Sequence, residues 1–220
     1  QQGSFTEYKK NVDASILNDF ASFAYRFGHS LIPNSFSPKS NLPLDSVSNF
    51  CPLKDNFFQV EDCVVGQDLR ANAWKSIIMR MTAIQSPSMD AKMQESATNF
   101  LFCTLLPKGC SLTQGFGLDL AALNIQRGRD NGIPGYTNYR EYCGLSVPRN
   151  WNQKPQDISQ RNWDNMRSVY RSVDQIDAFT GTMSEKSVPG GLVGLTNACI
   201  LGKQFQNLMA GDRFFFTHPN

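Results

Sequence analysis

Residues 117–145 read GLDLAALNIQRGRDNGIPGYTNYREYCGL and combine an apolar run, a group of charges, a turn and an aromatic segment. Asp119 is placed to cap a helix, because its carboxylate can accept a main-chain N–H at the positive end of the helix dipole. Asn124 and Arg127 lie three residues apart on that helix, hence on one face, with roughly 4.5 Å of rise between them. This spacing indicates that one surface feature can meet both side chains.

The sequence after this helix predicts a sharp turn and a second helix. Asn131 and Gly132 can supply positive φ, and Pro134 fixes φ while it withholds a main-chain donor. Tyrosines then recur at every third position, and Gly144 is placed to end the second helix. On spacing alone, a helical corner with structural ion pairs is the simpler interpretation of the whole stretch.

The composition is that of a globular protein and excludes several classes of function. The 220 residues are 40% hydrophobic and 18% charged, which suits one large domain or two small ones. The net charge is only +2 and no long basic block is present, so we expect neither nucleic acid nor membrane insertion. The chain starts on Gln1 rather than Met, which suggests a processed or excised piece.

The six cysteines favour disulfides over a zinc site. Their number is even and they lack paired C-x-x-C spacing, which is typical of an oxidising compartment. Pairing among Cys51, Cys63, Cys103 and Cys110 stays open at this point, because local pairs and longer-range pairs are equally compatible with the spacing.

Helical periodicity recurs outside the central stretch, and convincing strands are few, so the sequence predicts a mainly α chain. Residues 33–67 are irregular by composition. In the last predicted helix, we expect Ala198, Leu201, Phe205 and Leu208 to face the core. The five further helices are predicted over residues 12–31, 68–81, 89–101, 158–173 and 197–209.

His29 lies near the C-terminal end of the first predicted helix, whose apolar stripe includes Phe20, Phe23 and Phe27. A lone histidine in such a place is usually structural. Spacing alone therefore does not make it a ligand.

Three blocks resemble the animal haem peroxidase family, which includes peroxidasin, peroxinectin and myeloperoxidase-like enzymes. ALNIQRGRDNGIPGYTNYREYCGL resembles the family signature, VDASILNDFASFAYRFGHSLIP the segment with the proximal haem histidine, and GLVGLTNACILGKQFQNLMAGDRFFF the late block. The resemblance implies a mainly α, peroxidase-like helical fold with few short strands. Residues 1–220 would then be the proximal-haem portion of a single domain, incomplete without its N-terminal, distal portion.

The resemblance also implies roles for individual residues. His29 matches the ligand of the haem iron, and Asn124 matches the residue that accepts the Nδ1 proton of that histidine. A neutral amide fixes the ring, yet it pushes less electron density to iron than a carboxylate would. Arg127 matches the residue that pairs with a haem propionate, and Cys143 and Cys199 match a family disulfide.

Other charged and polar residues have weaker roles. We expect Arg129 and Asp130 to form structural ion pairs. Asn131 stands where the family usually has His, which puts the hydrogen bond of that imidazole in doubt but leaves the iron ligand in place. His218, outside any family motif, is assigned no function.

In the family, the distal histidine, the catalytic arginine and the calcium loop precede the proximal histidine, and none of them is found here. Peroxide cleavage needs a distal base and a cation. The resemblance therefore implies a heavy-chain-like partner of an N-terminal distal-haem chain from the same precursor. Together they would form a secreted or granule-lumen enzyme that reduces hydrogen peroxide and oxidises halide, phenolic or similar donors. The alternative is a non-catalytic extracellular adhesion or binding module.

Overall fold

Helices dominate the secondary structure of the chain, as the sequence predicts. The computed structural model describes residues 8–36, 51–57, 78, 81–82, 85–103 and 117–218. The named elements are α1 (Asn18–Ser22), the 3-10 helix η1 (Ala24–Leu31), β1 (Ser35–Phe36), β2 (Cys51–Pro52), α2 (Leu53–Asn56), α3 (Glu95–Thr98), α4 (Leu120–Asp130), α5 (Tyr136–Tyr142), α6 (Gln160–Val169), the 3-10 helix η2 (Val173–Gln175), α7 (Ala178–Ser184) and α8 (Leu195–Gly211).

The chain divides into two compact units, with one boundary inside η1 and the other inside α4. Unit 1 comprises Gln1–Phe27 and Asn124–Asn220, and unit 2 comprises Gly28–Leu123.

In the described part of unit 2, Asn34 connects the small sheet to α3. β1 pairs antiparallel with β2, and the main-chain oxygen of Asn34 accepts a hydrogen bond from Leu53 N at 2.8 Å. The side chain of Asn34 also donates to Gln94 at 2.7 Å and accepts from the main-chain N–H of Ser96 at 3.1 Å. One asparagine therefore ties the small sheet to the start of α3.

A hydrophobic core cluster of unit 1 is formed by aromatic and aliphatic side chains around Trp163. Its indole N–H donates to the main-chain oxygen of Trp151 at 2.8 Å, and the two rings meet edge to face at 4.9 Å. α5 packs against α7 and η2, and Gly181 of α7 lies so close to the ring of Tyr136 that a Cβ there would collide with it. The fully buried members of the cluster are Tyr136, Ile158, Trp163, Met166, Val173 and Ile176.

The helix predicted over residues 12–31 is wrong in extent and in type. The α-helical part begins only at Asn18 and ends at Ser22, and a 3-10 helix follows. Gln204 of α8 accepts a hydrogen bond from Leu17 N at 2.7 Å and donates to Ser15 O at 3.2 Å. Because a distant side chain takes these main-chain groups, they do not join a helix.

The predicted face of the last helix is also wrong. α8 buries Thr196, Asn197, Ile200, Gln204 and Ala210, whereas Phe205 remains 53% exposed. The spacing of apolar residues predicted a buried face about one residue away from the observed one. The observed face is buried largely through polar side chains.

Two further predictions differ in extent. The helix predicted over residues 89–101 is reduced to α3, because Leu101 exchanges main-chain hydrogen bonds with Leu118 instead of continuing the helix. The helix predicted over residues 158–173 is confirmed in its core but ends at Val169. Most of the predicted helix 68–81, and the side chains of Cys63 and Cys110, lie outside the described residues.

Candidate functional site

Local signals shape the central stretch as its sequence predicts. The carboxylate of Asp119 accepts hydrogen bonds from the main-chain N–H groups of Ala121 at 2.8 Å and Ala122 at 3.1 Å, and so caps α4. Gly132 and Gly144 adopt φ of +65° and +68°. These conformations, which favour glycine, end α4 and α5 respectively.

The two residues that share a face of α4 differ sharply in exposure. Asn124 is 0% exposed and borders a small cavity in unit 1 that Phe23, Ile133 and Phe179 also line. The side chain of Arg127 is 56% exposed, and its Nη1 lies 3.8 Å from a carboxylate oxygen of Asp130. The amide is thus enclosed by protein, while the guanidinium is accessible to an anion from solvent.

His29 lies in unit 2, in the last turn of η1, as its sequence position predicts. It is half-buried, and its main-chain oxygen accepts a long hydrogen bond of 3.5 Å from Ile32. The imidazole therefore belongs to a short 3-10 segment rather than to the α-helix expected from the sequence.

The ion pairs predicted for Arg129 and Asp130 are confirmed, although both residues are exposed. Arg129 binds Asp177 through two hydrogen bonds of 3.0 and 2.8 Å, and this carboxylate raises the pKa of Arg129. Asp130 accepts from Gln126 at 2.8 Å in addition to its contact with Arg127. These charges fix the C-terminal end of α4.

Asn131 does not use the positive φ that its turn position suggested; among the described non-glycine residues only Phe102 does. Its side chain instead donates to the main-chain oxygen of Arg127 at 2.8 Å, and its own main-chain oxygen accepts from Asn18 at 3.0 Å. Asn131 thereby closes the end of α4 and connects it to α1.

A buried charge network in unit 1 was missed at the sequence level. Arg140 of α5 is 2% exposed, and its Nη1 contacts carboxylate oxygens of Asp157 at 2.7 Å and Glu185 at 2.9 Å. Its Nε donates to the main-chain oxygen of Ser146 at 2.6 Å. The available signal was the position of Arg140 four residues after Tyr136, on the aromatic face of a short helix.

Glu185 is the acceptor at the centre of this network. Its Oε1 accepts hydrogen bonds from the hydroxyl groups of Tyr136 and Thr196, both at 2.5 Å, and its Oε2 accepts from Thr196 N at 2.9 Å. Burial raises the pKa of Glu185, and the hydrogen bonds from Thr196 and Tyr136 act in the opposite direction. Burial also raises the pKa of the Tyr136 phenol. The network joins α5, α7 and α8.

The predicted disulfide between Cys143 and Cys199 is confirmed. The two Cα atoms lie 6.1 Å apart, and the bond joins the end of α5 to α8 across 56 residues of sequence. Cys103 is also disulfide-bonded. These bonds agree with the preference for disulfides over a zinc site that cysteine number and spacing predict.

The described residues contain neither a metal-binding cluster nor a membrane-spanning helix. Within them, no group of three or more His, Cys, Asp or Glu side chains is arranged to hold a metal ion. In the same part of the chain, no helix is long and apolar enough to cross a membrane.

Comparison with known proteins gives one consistent result. The family model described as animal haem peroxidase matches residues 1–220. Chorion peroxidase of Drosophila melanogaster is 32% identical over 220 residues, which is 100% of this chain and 25% of that protein. Thyroid peroxidase of Sus scrofa is 33% identical, over 99% of this chain and 22% of that protein. The chain thus spans about a quarter of these relatives.

Solved structures agree with the sequence comparison. Peroxidase A from Dictyostelium discoideum superimposes with a TM-score of 0.78 at 30% identity, covering 99% of this chain and 39% of that one. A fatty acid alpha-dioxygenase from Oryza sativa superimposes with a TM-score of 0.67 at 20% identity, covering 97% and 35%. The second likeness concerns the fold alone.

Proposed function

The chain belongs to the animal haem peroxidase family, and from that premise we propose that it forms the proximal part of a secreted peroxidase. The enzyme would reduce hydrogen peroxide and oxidise halide, phenolic or similar donors. The observation that carries this proposal is the family match over residues 1–220, within which the sequence resemblance assigns haem-binding roles to the imidazole of His29, the buried amide of Asn124 and the exposed guanidinium of Arg127.

The chemistry of these three side chains fits haem. Imidazole is a common axial ligand of haem iron, and a guanidinium pairs well with a carboxylate such as a propionate. The guanidinium of Arg127 is 56% exposed, and its contact with Asp130 is only a long one of 3.8 Å. A propionate could therefore bind it without displacing a tight ion pair.

Each residue would have a distinct task. His29 would bind the iron through Nε2, and Asn124 would accept the proton of Nδ1, which fixes the tautomer and the plane of the ring. Arg127 would hold one propionate. Bound haem would supply the redox chemistry with peroxide, whereas these residues bind and orient it.

Proton movement on peroxide requires groups that we assign to another segment. A distal histidine and an arginine, the general acid–base and cationic groups of this chemistry, would come from an N-terminal distal-haem chain of the same precursor. The calcium of the family would be bound there too. We expect activity only when both parts are present, and an oxidising, extracellular or granule location for the assembly.

Absorption spectroscopy of the native material tests this proposal. We expect a Soret band and a co-purifying chain that bears a distal histidine. Haem-free protein without such a chain would contradict the peroxidase proposal and favour the extracellular adhesion or binding module.

Substitution of the two histidines gives a matched comparison. His29→Ala should abolish the Soret band, because the iron loses its ligand, whereas His218→Ala should leave it intact. Asn131→His should also retain haem, since Asn131 connects helices rather than binding iron. Retention of haem by His29→Ala together with its loss in Asn131→His would overturn the residue assignment.

A further inference from the structure

Asn131 and Gly132 form the only Asn-Gly pair in the sequence, and both residues are exposed at the end of α4. A Cβ added to Gly132 would meet no other described residue, so this side of the turn is open to solvent. Glycine after asparagine matters chemically, because it has no side chain to shield its main-chain nitrogen. The pair therefore has the composition and the exposure of a site where the chain can react with itself.

The reaction open to this pair is an intramolecular acyl transfer, which accounts for the thermal lability of asparagine. The main-chain nitrogen of Gly132 loses its proton and attacks Cγ of Asn131. A new C–N bond closes a succinimide ring, and the side-chain amide nitrogen leaves as ammonia, which takes up that proton. Water then opens the ring at either carbonyl and leaves aspartate or isoaspartate at position 131. The atoms balance without an oxidant or a cofactor.

Hydrogen bonds engage both reacting groups in the folded chain. The side-chain amide of Asn131 donates to the main-chain oxygen of Arg127 at 2.8 Å, and Gly132 N donates to the main-chain oxygen of Arg129 at 3.1 Å. A third bond, from Asn18 Nδ2 to the main-chain oxygen of Asn131 at 3.0 Å, ties the turn to α1. Because the attacking nitrogen shares its proton with a carbonyl, the reaction requires a local opening of this helix end.

The C-terminal end of α4 has the properties of a segment that opens at small cost. Asn131 is exposed, and Gly132 adopts a φ of +65° without a side chain to bury. Opening such an end breaks hydrogen bonds but exposes little additional apolar surface. Two contacts outside α4 resist the opening: the bond from Asn18, and the two bonds between Arg129 and Asp177.

We propose that Asn131 is a site of spontaneous deamidation whose rate is set by opening of the C-terminal end of α4. The inference does not depend on haem or on any partner chain. The product carries a carboxylate at the negative end of the helix dipole, next to Asp130, which disfavours the helix end. Isoaspartate also lengthens the main chain, so the bond from Asn18 loses its geometry. The modification therefore weakens the connection between α1 and α4.

Peptide mapping by mass spectrometry of the native protein, incubated at mildly alkaline pH, tests the site. We expect conversion of amide to acid at Asn131, with isoaspartate among the products. Asn138 is the internal control, because it is also exposed and its side chain also donates to a main-chain oxygen, that of Gly135 at 3.5 Å, but Tyr139 follows it. No conversion at Asn131, or equal conversion at both asparagines, would overturn the inference.

Two variants test the control of the rate by the helix end. Asn18→Ala removes the bond to Asn131 and should speed deamidation about fivefold, the factor that corresponds to a hydrogen bond worth about 1 kcal/mol. Arg129→Ala should also speed the reaction, because it frees the same end from Asp177. Gln160→Ala, which removes an exposed side-chain bond on α6, should leave the rate unchanged. Wild-type rates in both Asn18→Ala and Arg129→Ala would overturn the proposed control.

Asn131→Asp reproduces the aspartate product and measures its effect on the fold. We expect unfolding at a lower urea concentration, because the new carboxylate lies at the end of α4. Asn138→Asp is the matched variant in the first turn of α5, where a carboxylate favours the helix dipole, and it should not lower that concentration. Equal unfolding of Asn131→Asp and the wild type would overturn the claim that the modification weakens the connection between the helices.

Discussion

α4 and α5 lie next to each other in one short stretch, yet they treat their arginines in opposite ways. Arg127 and Arg129 of α4 have side chains 56% and 59% exposed, while the side chain of Arg140 in α5 is 2% exposed. Exposed guanidinium groups can exchange partners with little loss of stability, whereas a buried one must keep its carboxylates. We infer that the buried charge of α5 stabilises the fold, whereas Arg127 of α4 is accessible to a ligand.

We expect the largest loss of stability when the buried arginine of α5 is replaced. Arg140→Met should destabilise the protein by about 3–5 kcal/mol, because Glu185 and Asp157 lose the cation between them. Urea unfolding measures the change. The double variant Arg140→Met/Glu185→Leu should lose less than the sum of the two single variants, and strict additivity would contradict the network.

Removing the disulfide tests whether α5 is held by the network alone. Cys143→Ser/Cys199→Ser opens a link across 56 residues and should cost about 2–4 kcal/mol. Thermal unfolding of this variant and of Arg140→Met measures the two contributions separately. A disulfide variant as stable as the wild type would mean that the charge network suffices.

The two buried tyrosines of α5 predict that the protein loses stability at alkaline pH. Burial raises the pKa of Tyr136 and of Tyr139, and Asp19, which accepts the Tyr139 hydroxyl at 2.6 Å, raises the latter further. Because the folded pKa lies above the unfolded value, their stabilising contribution is present below about pH 10 and is lost as pH rises, by about 1.4 kcal/mol per pH unit for each phenol.

Tyr139→Phe serves as the control for this titration. The variant should lose stability less steeply above about pH 10, as followed by circular dichroism, because one of the two phenols no longer ionises on unfolding. An identical slope in the variant and the wild type would contradict the assignment to Tyr139.

The smallest effects are expected in α4. Arg129→Ala should cost about 0.2–1 kcal/mol despite its two short bonds to Asp177, since its side chain is 59% exposed. Arg127→Gln should leave unfolding unchanged and weaken only haem retention. A loss of stability in Arg127→Gln as large as that in Arg140→Met would erase the distinction between the two helices.

Local chemistry made the central stretch predictable. The cap at Asp119 and the turns at Gly132 and Gly144 depend on neighbouring residues only, and all three are confirmed. The start of α1 was not predictable, because it is decided by Gln204, which lies 187 residues from Leu17 in sequence. The buried face of a helix was predicted from the spacing of its apolar side chains. This pattern cannot identify a face that is buried through amides.

The candidate site, like the fold, could be predicted only in part from the sequence. Resemblance supplied the pairing of Cys143 with Cys199, which spacing alone left among several possibilities, and the structure confirms it. The roles of His29, Asn124 and Arg127 stay predictions that the haem experiments address. Arg140 was missed because a charged side chain in a short helix is expected at the surface, and only tertiary contacts reveal its burial.

The absence of a side chain at Gly181 has a consequence beyond close packing. An added methyl group there would act as a wedge against the ring of Tyr136, whose hydroxyl is bound to Glu185. Displacing the ring would withdraw a proton donor from a buried carboxylate. Although the substitution changes no charge, it would therefore weaken the electrostatic interactions of that carboxylate with Arg140 and with the beginning of α8.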